Sequence, residues 1–178
     1  TKEVLEDPKR LKMIARHIID TYPTKTKHDE FTAMFCVSSV EVLTQYYELF
    51  KQVQAEKQAE DEAQGKIFKP LTIATIFSYA ANEAVETLDG LLDEESADIP
   101  TQINQSSRDK LDSYIADYNA TFATNYNSGD SYYAYYRDIA TRVRNKQIDI
   151  LMVVNMFLTG FDAKTLNTLY VDKNLKHH

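Results

Sequence analysis

The sequence predicts an α/β fold: a mostly parallel sheet flanked by helices, with a helical insertion. Short apolar runs of strand length, Phe31–Val37, Leu71–Phe77 and Ile150–Val154, alternate with longer segments whose apolar residues recur at helical spacing. The succession strand, helix, strand between Phe31 and Phe77 is a βαβ unit, which is nearly always parallel and right-handed. A polar loop, Thr159-Gly160-Phe161-Asp162, stands between the run Ile150–Val154 and a second buried strand expected over Leu169–Val171. It sets a flexible backbone and a carboxylate at a sheet edge, and in open α/β sheets that edge binds phosphates and nucleotides.

Taken in order, Asp7 is a good N-cap and Pro8 suits the first helical position. Leu11, Ile14, Ala15, Ile18, Ile19 and Tyr22 make one apolar helix face, and Pro23 is expected to end it. Thr24 to Glu30 reads as an exposed linker. After the first strand, Ser38 and Glu41 have the spacing of a capping box. Val40, Leu43, Tyr47, Phe50 and Val53 form the buried stripe of the helix that follows, and its charged tail, Glu56 to Gly65, is expected to fray into solvent. The second strand is rich in β-branched residues. Asn82 to Asn104 is acidic and weakly patterned, with Gly90 and Pro100 as breakers, and reads as a loop or lid. Ser107 to Tyr126 is expected to be helical with Leu111, Tyr114, Ile115, Tyr118 and Phe122 on one face. Asn127 to Asp130 is a turn, and Ser131 to Lys146 a further helix with Tyr132, Tyr136, Ile139, Ala140 and Val143 inward.

The 178 residues suffice for one domain with an insertion and a real core, and 43% of them are hydrophobic. No apolar run approaches the roughly 20 residues of a membrane span, and the acidic N-terminus lacks the apolar core of a signal peptide. The single Cys36 lies in an apolar run, which fits a reducing, cytoplasmic setting. Net charge is -7, but it is local: Glu83 to Asp98 holds seven acids and no base, and the remaining acids balance the bases. A generic nucleic-acid coat is thereby disfavoured.

Gly160 to Thr165, Gly-Phe-Asp-Ala-Lys-Thr, has the residues of a phosphate-binding P-loop but not its spacing. No nucleophile elbow is present. His17, His28, His177, His178 and Cys36 have no metal-ligand spacing, and Asp93-Glu94-Glu95 lacks the alternation of a calcium loop, so no metal site is expected. Tyr132, Tyr133, Tyr135 and Tyr136 are candidate stacking platforms for bases, although core packing accounts for Tyr132 and Tyr136. Arg137, Arg142, Arg144 and Lys146 are candidate phosphate contacts, although cations near a helix C-terminus also complement its dipole.

The block Val153 to Leu175, with its core Leu158-Thr159-Gly160-Phe161-Asp162-Ala163-Lys164 and its second run Leu169-Tyr170-Val171-Asp172, closely resembles helicase motif V of the R subunit of type I restriction–modification enzymes. Phe31 to Tyr47 resembles motif IV of that family, and Ile73 to Glu83 the strand and turn before its insertion. The resemblance covers most of the chain, and motif V is its most specific part. It implies the second RecA-like lobe of a superfamily 2 translocase over residues 31–178, with 81–147 a largely helical insertion and 1–30 an N-terminal helix and linker. It also implies nucleotide coupling by Thr159, Gly160, Phe161 and Asp162, and DNA contact by Ser38, Ser39 and Thr159. The intact subunit would use ATP and Mg²⁺ and act on double-stranded DNA. Its partners would be a first RecA-like lobe, a nuclease domain, and methylation and specificity subunits. This chain is expected to end before motif VI and its arginine finger, and to lack the P-loop. Fingers contribute roughly 10³ to 10⁵ in rate, so the fragment alone is expected to be inactive and to bind no cofactor. Rival expectations are a lobe of another superfamily 2 helicase, or a non-catalytic α/β module whose acidic Glu83 to Asp98 stretch docks a basic partner.

Overall fold

A computed structural model of the chain describes residues 6–77, 105–154 and 164–173. Within them the chain runs α1 (Pro8–Lys25), β1 (Thr32–Val37), α2 (Val40–Ala63), β2 (Ile73–Ile76), α3 (Gln105–Phe122), α4 (Tyr132–Arg144), β3 (Ile150–Val154) and β4 (Leu166–Asp172). The expected acidic stretch Glu83 to Asp98 lies outside the described residues.

The four strands form one sheet in the order β2-β3-β1-β4, and every pair is parallel. The predicted α/β architecture is therefore present, with β3 inserted between the two strands of the first βαβ unit. β1 is buried along its whole length and β3 nearly so, which is why both read as continuous apolar runs. β4 departs from the expectation of a buried Leu169–Val171 strand. It is longer, forms the sheet edge, and alternates between half-buried and exposed residues, with Leu169 49% and Val171 41% exposed.

α1 begins as its sequence dictates: the Asp7 carboxylate accepts from the Lys9 amide at 3.0 Å, and Pro8 opens the helix. It does not end at Pro23 but runs to Lys25. A proline in the last turn removes only the amide that would reach the Ile19 carbonyl, and the turn beyond it is closed by Thr26, whose amide and hydroxyl both donate to the Tyr22 carbonyl, at 2.9 and 2.7 Å. The chain then turns back through Lys27, His28 and Asp29, all with positive φ, into β1.

Leu11, Ala15, Ile18, Ile19 and Tyr22 of α1 join Val42, Leu43, Tyr46, Phe50 and Val53 of α2 in one core with the sheet. Phe35 of β1 meets Tyr46 and Phe50 edge-on, with ring centroids 4.7 and 6.1 Å away. The tail of α2 does not fray before Ala63. Glu56 pairs with Lys12, Glu60 with Arg16 and Lys57 with Asp20, so α1 holds it.

α3 and α4 differ from their expected spans mainly at the ends, and α4 differs in its inner face. Tyr135 is the fully buried tyrosine, while Tyr132 and Tyr136 are half-buried. The cause lies in the edge strand β2. Its alternation directs the Thr75 and Phe77 carbonyls away from β3. Tyr135 and Tyr132 donate their hydroxyls to those carbonyls at 2.6 and 3.1 Å. α4 thus closes an edge that would otherwise present unpaired backbone.

Candidate functional site

The sheet's parallel order brings its four C-terminal ends to one edge. Val37 of β1 is level with Val154 of β3 on one side and with Asp172 of β4 on the other, and Ile76 of β2 is level with Val153. Such an edge, lined by the loops after each strand, is where open α/β sheets bind ligands.

At this edge β1 passes through Ser38 and Ser39 into α2. Ser39, not Ser38, caps the helix. Its backbone is extended (φ -156, ψ 166) and its hydroxyl accepts from the Val42 amide at 3.2 Å. The expected Ser38–Glu41 capping box is therefore corrected by one residue. β1 keeps its pleat through Val37, and the turn needs Ser38 as an exposed link. The consequence is a division of work: Ser39 satisfies the helix, and the Ser38 hydroxyl stands exposed beside a 24-residue helix N-terminus that favours an anion. Thr159, Gly160, Phe161 and Asp162 lie outside the described residues, as do His177 and His178. β3, which leads into that segment, ends next to the strand that carries Ser38 and Ser39.

Asp172, at the end of β4, is the carboxylate the structure places on the same edge. Arg10 of α1 grips it through both terminal nitrogens, and the Tyr46 hydroxyl of α2 donates to it. Burial pushes this carboxyl up, but the Arg10 and Tyr46 hydrogen bonds outweigh it and hold the group below the usual carboxylate range. Burial, reinforced by Asp172, raises the Tyr46 phenol far above its ordinary value. The cluster joins α1, α2 and β4 and leaves the carboxylate committed. Sequence reasoning missed it because the three residues are separated by 36 and 126 positions along the chain.

Two other features lie away from this edge. Asp149 precedes β3 at the opposite end of the sheet, where it accepts from the Thr72 amide at 2.7 Å and from the Tyr22 hydroxyl at 3.3 Å. Its burial raises its pKa. A cleft of about 430 Å³ opens between α2, α3 and the start of β2, lined by Tyr47, Lys51, Gln54, Leu71 and Asp117. Its polar groups bind one another: Tyr47 and Lys51 both reach Asp117 at 2.8 Å, and Gln54 bridges the Leu71 backbone.

Of the candidate phosphate contacts, Arg142 is engaged, 2.8 Å from Asp138 and 4.2 Å above the Phe122 ring. Arg137, Arg144 and Lys146 are exposed. No helix among the described residues is long and apolar enough to cross a membrane.

Comparison with known proteins accords with the resemblance to type I restriction enzyme R subunits. A family model described as type I restriction enzyme subunit R domain 3 matches residues 29–178. The endonuclease subunit of type I restriction enzyme SauCOLORF180P from Staphylococcus aureus strain COL is 40% identical over 182 residues, covering 100% of this chain and 17% of that protein. The endonuclease subunit of SsaAORF53P from Staphylococcus saprophyticus is 41% identical over 181 residues, with the same coverage of each. This chain spans about a sixth of the length of such relatives. It belongs to the type I restriction enzyme R-subunit family, within the region that the family model describes as domain 3.

Proposed function

We propose that this chain is the second motor lobe of its R subunit, coupling ATP hydrolysis to translocation of double-stranded DNA before cleavage. The observation that supports it most is the shared edge: β1 and β3 are neighbours that end level, one delivering Ser38 and Ser39 and the other leading into the segment of Thr159 to Asp162. On this reading Ser38 and the first amides of α2 bind a DNA phosphate, joined by Thr159. Gly160, Phe161 and Asp162 report the state of the nucleotide to that contact.

ATP and Mg²⁺ would be held chiefly by a first lobe carrying a P-loop, and this chain would complete the site from one side. The residues present fit that partial role. The edge's described carboxylate, Asp172, is occupied by Arg10 and Tyr46 and is not offered to Mg²⁺. The chain alone should therefore be without ATPase activity. A nuclease domain, methylation and specificity subunits and a cytoplasmic setting complete the proposal.

The test uses the intact subunit in its complex. Asp162→Ala should cut translocation along duplex DNA at least tenfold, measured by triplex displacement, and leave DNA binding without ATP unchanged. Translocation at the unmodified rate would remove the coupling role from this loop.

A further inference from the structure

The outer face of α4 takes no part in the edge described above. Tyr133, Arg137, Thr141 and Arg144 follow one another at helical spacing, all exposed, and Lys146 follows in a turn with φ 58. Asp138 is the sole acid between Tyr132 and Lys146, and it is committed to Arg142 and to the Tyr118 hydroxyl. Among the described residues no carboxylate pairs with Arg137, Arg144 or Lys146, so this face is positive in a chain of net charge -7. The helix dipole accounts for cations in the last turn, but Arg137 stands mid-helix, beyond its reach.

The Tyr133 ring lies parallel to that of Tyr136, with centroids 6.4 Å apart, and the Arg137 guanidinium sits 5.7 Å from its centroid. A base could stack there only by displacing one of these neighbours. Tyr133 is 46% exposed and lines a shallow depression of about 340 Å³. This arrangement suits phosphates better than bases.

We propose that the outer face of α4 binds the sugar–phosphate backbone of duplex nucleic acid, separately from the strand-end edge. Arg137, Arg144 and Lys146 each neutralise a phosphate, and Tyr133 donates its hydroxyl to one. Arg137 and Arg144 are about 10 Å apart along the helix axis at 1.5 Å per residue. That is about three phosphate steps on one strand, at 3.4 Å each. The inference rests on the chain being part of a DNA-acting motor.

The experiment measures binding of the intact subunit, without ATP, to a labelled duplex and to the matching single strand as KCl is raised. The triple variant Arg137→Gln, Arg144→Gln, Lys146→Gln should lower duplex affinity at least tenfold at low salt. It should also make the slope of log K against log salt shallower by about 2.7, that is 0.9 for each phosphate contact. Arg137→Lys with Arg144→Lys should keep the slope, and Lys25→Gln, an exposed cation on α1, should not change it. An unchanged slope in the triple variant, while the unmodified subunit binds and translocates, overturns this inference and leaves the motor reading standing. Loss confined to the single strand overturns the duplex assignment. Absence of salt-dependent duplex binding in the unmodified subunit overturns both.

Discussion

Ser38 and Ser39 are adjacent and chemically identical, yet the structure gives them different work. Ser39 holds the Val42 amide, and Ser38 is exposed at the strand-end edge. Ser39→Ala should lower stability by about 1 kcal/mol in urea unfolding, as loss of an N-cap does. Ser38→Ala should stay within about 0.5 kcal/mol, as a surface change does. A larger loss at Ser38 would return the cap to that residue. The sequence marked a helix start here but not which hydroxyl turns inward, because that depends on where the pleat of β1 ends. Asp172 makes a second prediction. Its folded pKa is depressed, so its contribution is fully present above the unfolded value of about 3.9 and is lost as pH falls through the folded value. Asp172→Asn should cost about 2 kcal/mol at pH 7, as loss of charge-assisted hydrogen bonds does. The gap to the unmodified protein should narrow below about pH 4. A gap independent of pH would mean that the carboxylate's charge is not what Arg10 and Tyr46 stabilise.

At the scale of elements, apolar spacing located every described helix, and apolar runs located all four strands, the last as too short and too buried. The misses follow from contacts the spacing cannot express. α1 continues past Pro23 because Thr26 supplies two donors to Tyr22. The tail of α2 stays helical against cations of α1. Tyr135, rather than Tyr132 or Tyr136, turns inward because β2 is an edge strand whose outward carbonyls need donors. Tyr135→Phe should therefore cost about 1–3 kcal/mol, the penalty of an unsatisfied buried carbonyl. Tyr132→Phe, at a half-buried position, should cost less. Thermal unfolding of the two variants checks the order, and a reversed order would remove the edge-closing role from Tyr135.

At the scale of the molecule, α1 has a larger part than a reading of residues 1–30 as helix and linker conveys. Leu11, Ala15, Ile18, Ile19 and Tyr22 are at most 3% exposed and share one core with the sheet. Each large apolar side chain contributes about 1.5–3 kcal/mol on burial, and together they rival a domain's net stability of about 5–15 kcal/mol. Removing residues 1–30 should leave a chain that binds ANS and melts without a cooperative transition. A sharp two-state melt would show that the sheet stands without α1.

What the sequence determined by itself was the α/β class, the order of elements and the kinship carried by Val153 to Leu175, because local periodicity and a contiguous motif are properties of neighbours along the chain. The tertiary structure alone decided the strand order, the level ends that bring Ser38 beside the strand leading to Thr159, the Arg10–Asp172–Tyr46 cluster and the exposed cations on the outer face of α4. Each of these depends on which distant residues the sheet sets side by side. A parallel sheet, whose neighbours are joined only by long crossovers, hides that information from any local reading.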